Sequence, residues 1–244
     1  MANPSGQISF VIPAFNEATQ LPHTLAALER AAGQPGFPPY EVIVCDNAST
    51  DSTAEVASSF GARVVQEPIR QISRSRNAGA SAACGDWLVF LDADSRVSRA
   101  LLHELLRRIN SGCCGAGGAR VEFETDDLKW FPATVLTAWN LVSLWARWAA
   151  GSFLFCRRDA FESIGGFSHE FFAGEELDLS IRLQQWCGAR QLKMQIIWEQ
   201  PICTSARKIE GRKTWQLMNH LAILLPGALK SPEKCAFWYD PQYR

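Results

Sequence analysis

The chain lacks the marks of several common protein classes. It has no excess charge: 24 basic and 25 acidic residues leave a formal net charge of −1 over 244 residues. No broad electrostatic attraction to nucleic acid is therefore expected. It has no C-x-x-C pair among its eight cysteines. Cys45 and Cys156 sit in apolar, strand-like runs and Cys113 is adjacent to Cys114, a pattern of buried or incidental thiols in a reducing compartment. Clustered Cys and His ligands for zinc are missing. The extended glycine cluster, Gly112 to Gly118, is not G-x-G-x-x-G and does not follow a first strand, which argues against dinucleotide binding. No G-x-S-x-G elbow for a serine nucleophile occurs. The opening residues, MANPSGQISF, carry no basic stretch before an apolar core, so no secretory signal is expected. No uninterrupted apolar run reaches the roughly 18 residues needed to span a bilayer. The nearest approach, Pro132 to Phe155, is broken by Asn140, Ser143, Arg147 and Ser152. A soluble cytoplasmic protein is expected, with contact at a membrane surface left open.

What is present is an alternation. Ile8–Ile12, Val42–Cys45, Arg63–Gln66 and Trp87–Leu91 read as short strands. Helical stretches lie between them at Leu21–Ala31, about Thr53 to Phe60, and Ser75–Ala83. Strands separated by helices predict a mostly parallel sheet with helices on both faces. In such sheets ligands bind beyond the carboxyl ends of the strands. That rule selects Pro13–Glu17, Asp46–Asp51, the loop around Arg70–Arg76, and Asp92–Ser95. The second half reads as a strand over Ala116–Glu124, a Trp-rich helical stretch through Trp130, Trp139, Trp145 and Trp148, and a strand over Ser152–Cys156. An acidic helix follows from Gly174 to about Cys187. One domain is expected, with a donor half over residues 7–114 and an acceptor half over 115–244.

Each selected segment has a chemical and a structural explanation. Asp92 and Asp94, one residue apart at a strand's end, suit a hard divalent cation carrying a diphosphate; alternatively Asp94 and Ser95 cap a helix starting near Arg99. Asp46 can accept hydrogen bonds from a ribose or base, whereas Ser49, Thr50 and Asp51 are explained by a turn and a helix cap. The three arginines of the 70–77 stretch suit phosphate, or form a solvated loop. Glu175 and Glu176 either complement a helix dipole or include a general base; spacing alone does not choose. Asp178 and Arg182, four apart, make a surface ion pair.

In this order the segments resemble the inverting family 2 glycosyltransferases of the GT-A fold. The matching residues are Val11–Glu17, Cys45–Asp51, Arg74–Gly79, Leu91–Asp94, Gly165–Gly166–Phe167, and Gly174 through Leu183. The resemblance implies that Pro13, Phe15 and Glu17 line a base pocket and that Asp46 binds base or ribose. It implies that Arg76 lies near the nucleotide, that Asp92 meets ribose or metal, and that Asp94 ligates Mg2+ or Mn2+. Glu176 falls where the family usually carries an aspartate that acts as base, with Glu175 beside it. Ser205 and Arg207 resemble a late segment that reaches the diphosphate. A nucleotide-sugar donor, UDP-linked, and a hydroxyl acceptor on a polysaccharide, glycolipid or lipid carrier follow from the same resemblance. A nucleotidyltransferase would instead show a glycine-rich basic loop after the first strand, which Pro13–Glu17 is not. A membrane-peripheral binding module would draw on the 130–148 stretch, where Leu141, Trp145 and Trp148 share a helical face that core packing also explains.

Overall fold

The computed structural model describes residues 6–124, 130–207 and 230. Among them, eight strands form one sheet: β1 (Ile8–Ala14), β2 (Tyr40–Asp46), β3 (Arg63–Gln66), β4 (Trp87–Leu91), β5 (Ser95–Arg96), β6 (Cys114–Phe123), β7 (Phe153–Arg157) and β8 (Lys193–Thr204). The spatial order is β3-β2-β1-β4-β7-β6-β8-β5. β1 to β4 run parallel; β7 is antiparallel to both its neighbours, β6 and β8 are parallel, and β5 closes the far edge antiparallel to β8. The expected mixed, mostly parallel sheet is therefore present.

Alternation along the strands builds a core on each face. Ile8, Phe10 and Ile12 of β1 point with Val89 and Leu91 to one side, where α1 (Leu21–Ala32) and α4 (Arg99–Asn110) bring Leu25, Leu28, Leu101 and Leu105. Val11, Leu88, Phe90 and Leu154 point to the other. There α3 (Ile72–Ala82), α6 (Arg158–Ser163) and α7 (Glu175–Gly188) contribute Ala80, Phe161, Leu179 and Leu183. Burial on both faces is why β1 reads as a nearly continuous apolar run, broken by the buried Ser9, whose hydroxyl donates to Glu41 at 2.6 Å. α2 (Thr53–Ser59) joins β2 to β3. The seven described cysteines are free thiols, and Cys45 and Cys156 are buried as expected.

Three expectations are corrected. α3 begins at Ile72, so Arg74 and Arg76 lie on a helix and not in a loop. Neither Asp94 nor Ser95 caps α4; Ser98 does, its Oγ accepting from the Leu101 amide at 3.0 Å, while Ser95 pairs with Thr204 in the sheet. Leu141 and Trp145 are not core. In α5 (Trp130–Ala146) the covered stripe holds Leu136, Trp139, Asn140 and Ser143, and Trp145 is 89% exposed. Asn140 docks the helix by bridging the Val121 amide and carbonyl, at 3.0 and 2.9 Å. That is the point where the β6–β8 register jumps, so the amide side chain replaces lost ladder bonds. The same jump hid β8 from sequence reasoning: Pro201 interrupts it, and pairing skips from Ile197 to Ile202. No helix among the described residues is long and apolar enough to cross a membrane.

Candidate active site

The carboxyl ends of β1, β2 and β4 are neighbours in the sheet, and the segments leaving them are tied together. Asn16, at φ 53°, donates its amide to Ser49 Oγ at 3.0 Å and accepts from the Thr50 amide at 2.8 Å. Asp46, at the end of β2, is buried, and its Oδ1 accepts from the Ser49 amide at 3.1 Å. Pro13 lies opposite Cys45 in the β1–β2 register. Phe15 is buried with the Arg70 guanidinium 3.8 Å from its ring centroid. Glu17, also buried, ion-pairs with Arg207, which sits 3.6 Å from Asp94. The Asp94 carbonyl accepts from the Ser205 amide at 3.1 Å. Residues more than a hundred positions apart thus share one rim: Pro13, Phe15, Glu17, Asp46, Asp94 and Arg207 lie along it.

A second cluster lies on the α3–α7 side. Arg76 is 2% exposed, and its Nη1 donates to Glu175 Oε1 at 2.5 Å. Its Nη2 donates to Asp92 Oδ1 at 3.0 Å and to the Gly151 carbonyl at 3.2 Å. A buried charge is tolerated only when paired in this way. Burial opposes the Arg76 charge, but Asp92 and Glu175 outweigh it and hold the guanidinium above its ordinary value. Burial pushes the Glu175 carboxyl up, with Arg76 opposing. Glu176, the next residue, is half-buried; desolvation first, then the charge of Glu175, push its carboxyl up to about 8. Asp178 and Arg182 form the expected ion pair, at 2.5 Å.

Among the described residues, no group of three His, Cys, Asp or Glu side chains is arranged to hold a metal on its own. Mg2+ is commonly held by only one or two carboxylates, with substrate phosphates completing its shell. Asp92 and Asp94 both follow β4, Asp92 bonded to Arg76 and Asp94 lying against Arg207. Around Arg76, Asp92, Glu175 and Glu176 set three carboxyl groups against one guanidinium, and burial offsets that crowding by favouring the protonated form of the two glutamates.

Sequence reasoning gave no role to Asn47, Gln71, Asn77 or Gly151. Asn47 Nδ2 donates to the carbonyls of Glu67 and Ile69, and its Oδ1 accepts from the Gln71 amide, ordering the chain beyond β3. Gln71 Nε2 reaches the carbonyls of His169 and Phe171. Asn77 grips both the amide and carbonyl of Phe167 at 2.9 Å. For Asn47, immediately after β2, and Gln71, immediately before α3, a side-chain amide at the edge of an element was the available signal. A separate polar cleft of about 520 Å³, lined by Asp86, Arg157 and Arg158 among others, lies at the opposite end of β4. It holds none of these groups.

Comparison with known proteins places the sheet in the GT-A class. A mannosyltransferase from Pyrobaculum calidifontis, solved with GDP-Man and Mn2+, aligns at TM-score 0.69 and 16% identity over 96% of this chain and 74% of its own. Glucosyl-3-phosphoglycerate synthase from Mycobacterium tuberculosis, solved with Mn2+, UDP-Glc and phosphoglyceric acid, aligns at TM-score 0.59 and 19% identity over 95% of this chain and 80% of its own. At these identities the likeness is one of fold. The chain belongs to glycosyl transferase family 2, whose model matches residues 9–175. An uncharacterised glycosyltransferase of Mycobacterium bovis is 33% identical over 136 residues, 55% of this chain and 59% of that one. A dolichyl-phosphate β-glucosyltransferase of Drosophila melanogaster is 36% identical over 105 residues, 38% of this chain and 32% of that one. The chain thus spans about three fifths of the first relative's length and a third of the second's.

Proposed function

We propose that the protein is a metal-dependent, inverting glycosyltransferase that passes a sugar from a UDP-linked donor to a hydroxyl acceptor. The observation that carries this reading is the convergence of acidic groups at the carboxyl ends of β2 and β4, the strands that flank β1: Asp46 and Asp94 share one rim, and Asp92, beside Asp94 in the chain, is tied through Arg76 to Glu175, the neighbour of Glu176. Residues 7–114 serve the donor and residues 115–244 the acceptor. Phe15 and Asp46 engage the nucleoside, with Pro13 and Glu17 shaping the pocket, and Arg207 reaches the diphosphate. Asp92 and Asp94 would hold Mg2+ or Mn2+, which when bound supplies positive charge for the departing diphosphate. Glu176 takes the proton from the acceptor hydroxyl, whose oxygen then attacks the anomeric carbon opposite the leaving group. The configuration inverts and no covalent enzyme intermediate forms.

Thermal-shift and turnover measurements with UDP-glucose, UDP-galactose and GDP-mannose test the reading, each with Mn2+ or with chelator. One donor stabilises the protein and turns over only with the metal. Loss of nothing on chelation, or no response to any donor, removes the proposal. A lipid-linked acceptor is supported by the Drosophila relative's name. Peripheral membrane contact is supported by the exposed apolar side of α5, with Val135, Leu141, Val142, Leu144 and Trp145 in the open. A cytoplasmic location is supported by the free thiols.

A further inference from the structure

The Arg76 guanidinium joins three parts of the chain that are remote in sequence. Nη2 meets Asp92 after β4 and the Gly151 carbonyl before β7, while Nη1 meets Glu175 at the first turn of α7. Its Cζ lies over the Phe167 ring, 5.2 Å from the centroid. The neighbouring residue, Asn77, fixes the loop that leads toward α7 through both backbone groups of Phe167. The fork is tightly fitted: a Cβ on Gly151 would come within 2.6 Å of Nη2. At 2% exposure the side chain has little contact with solvent, which sets it apart from a phosphate ligand such as a solvent-facing loop arginine. Glu175, 4% exposed at its side chain, is equally enclosed. Glu176 is the less enclosed of the two adjacent glutamates.

We infer that Arg76 is a positioning residue: its fork clamps Glu175 to Asp92, sets the amino end of α7 against the donor strand, and thereby aims Glu176 at the acceptor. Glu175 is then an anchor and not an alternative base. This rests on the glycosyltransferase reading only for the final step; the clamp itself is a property of the free protein.

The test uses two substitutions. Arg76→Lys keeps the charge but replaces a planar fork with a point charge that cannot meet three acceptors in fixed geometry. Gly151→Ala keeps Arg76 and crowds its Nη2. Hydrogen exchange is measured on the free protein at the amides of residues 178–182. Binding of UDP-glucose in the presence of chelator, which leaves any metal contact of Asp92 out of the comparison, and kcat with the responsive donor are measured alongside. Exchange in the first turns of α7 rises about tenfold or more in both variants, while exchange in β1 and β4 is unchanged. The value of kcat falls about 100-fold, the scale that a misplacement near 1 Å produces, and nucleotide-sugar affinity stays within about threefold. Unchanged exchange in α7 overturns the clamp. An affinity loss that matches the fall in kcat overturns it too, and makes Arg76 a donor ligand. If Arg76→Lys does not fold, Gly151→Ala decides the matter alone. If the unmodified protein transfers no sugar from any donor, the functional reading fails while the exchange result still judges the clamp.

Discussion

In the proposed reaction the proton transfer falls on one side chain, Glu176. A general base works deprotonated, and this carboxyl is pushed up to about 8. The transfer rate is therefore expected to rise about tenfold per pH unit up to about 8 and level above it, a profile read from kcat/KM between pH 6 and 9. Glu176→Gln abolishes that limb and leaves donor binding intact; transfer at near-normal rate in this variant reassigns the base. Stability carries the opposite sign. The folded carboxyl titrates above its ordinary value of 4.5, so it contributes stability in full below about 4.5, lost as pH climbs through about 8. Denaturant unfolding at pH 5 and pH 9 shows a drop that Glu176→Gln flattens. At the other end of the rim, Asp94→Ala is expected to eliminate metal-dependent turnover, with calorimetry showing Mn2+ no longer enhancing donor affinity.

At the scale of elements, α3 is the organiser. It lies close on β1 because residue 79 has no side chain: a Cβ there would come within 2.5 Å of Val11 Cγ1. Gly79→Ala is expected to cost about 1–3 kcal/mol through overpacking and to lower Tm by several degrees, read by calorimetry. It also displaces Arg76 and Asn77, so kcat falls with it. The helix was legible in sequence but its start was not. Ile72 to Arg74 looked like loop because the polar run Ser73, Arg74, Ser75, Arg76 hides a buried face on which Ser73, Ser75 and Arg76 all point inward. The strand ends and their acidic residues were legible because an apolar run closed by Asp or Asn is a local signal. What was not legible is pairing over distance. Nothing near Arg76 in sequence announces Glu175, and nothing near Asp94 announces Arg207. The second half was harder for the same reason: β8 is broken by Pro201, and α5 is held by Asn140, which looks like an interruption in an apolar run.

The surface of the described residues is uneven. Among the described residues, five large apolar side chains stand exposed on α5, while the chain's net charge is −1. Singly exposed apolar residues are ordinary, but a contiguous patch marks a contact surface. If that surface meets lipid, the protein floats with anionic liposomes and Trp145→Ser with Leu141→Ser releases it, with the melting temperature unchanged because neither side chain is in the core. Absence of the unmodified protein from the floating fraction retires membrane contact and leaves the transfer reading untouched.

The short strand β5 has a consequence for how the protein comes into being. Ser95 and Arg96, directly after the acidic turn of β4, find their partners in Cys203 and Thr204. A ribosome that has released the first hundred and ninety residues has produced every strand of the parallel half, yet Asp94 still lacks Ser205 and Arg207. Completion of the Asp94 end of the rim therefore waits on nearly the last described stretch of chain, and a prematurely stopped product keeps most of the sheet without the seam that completes its rim.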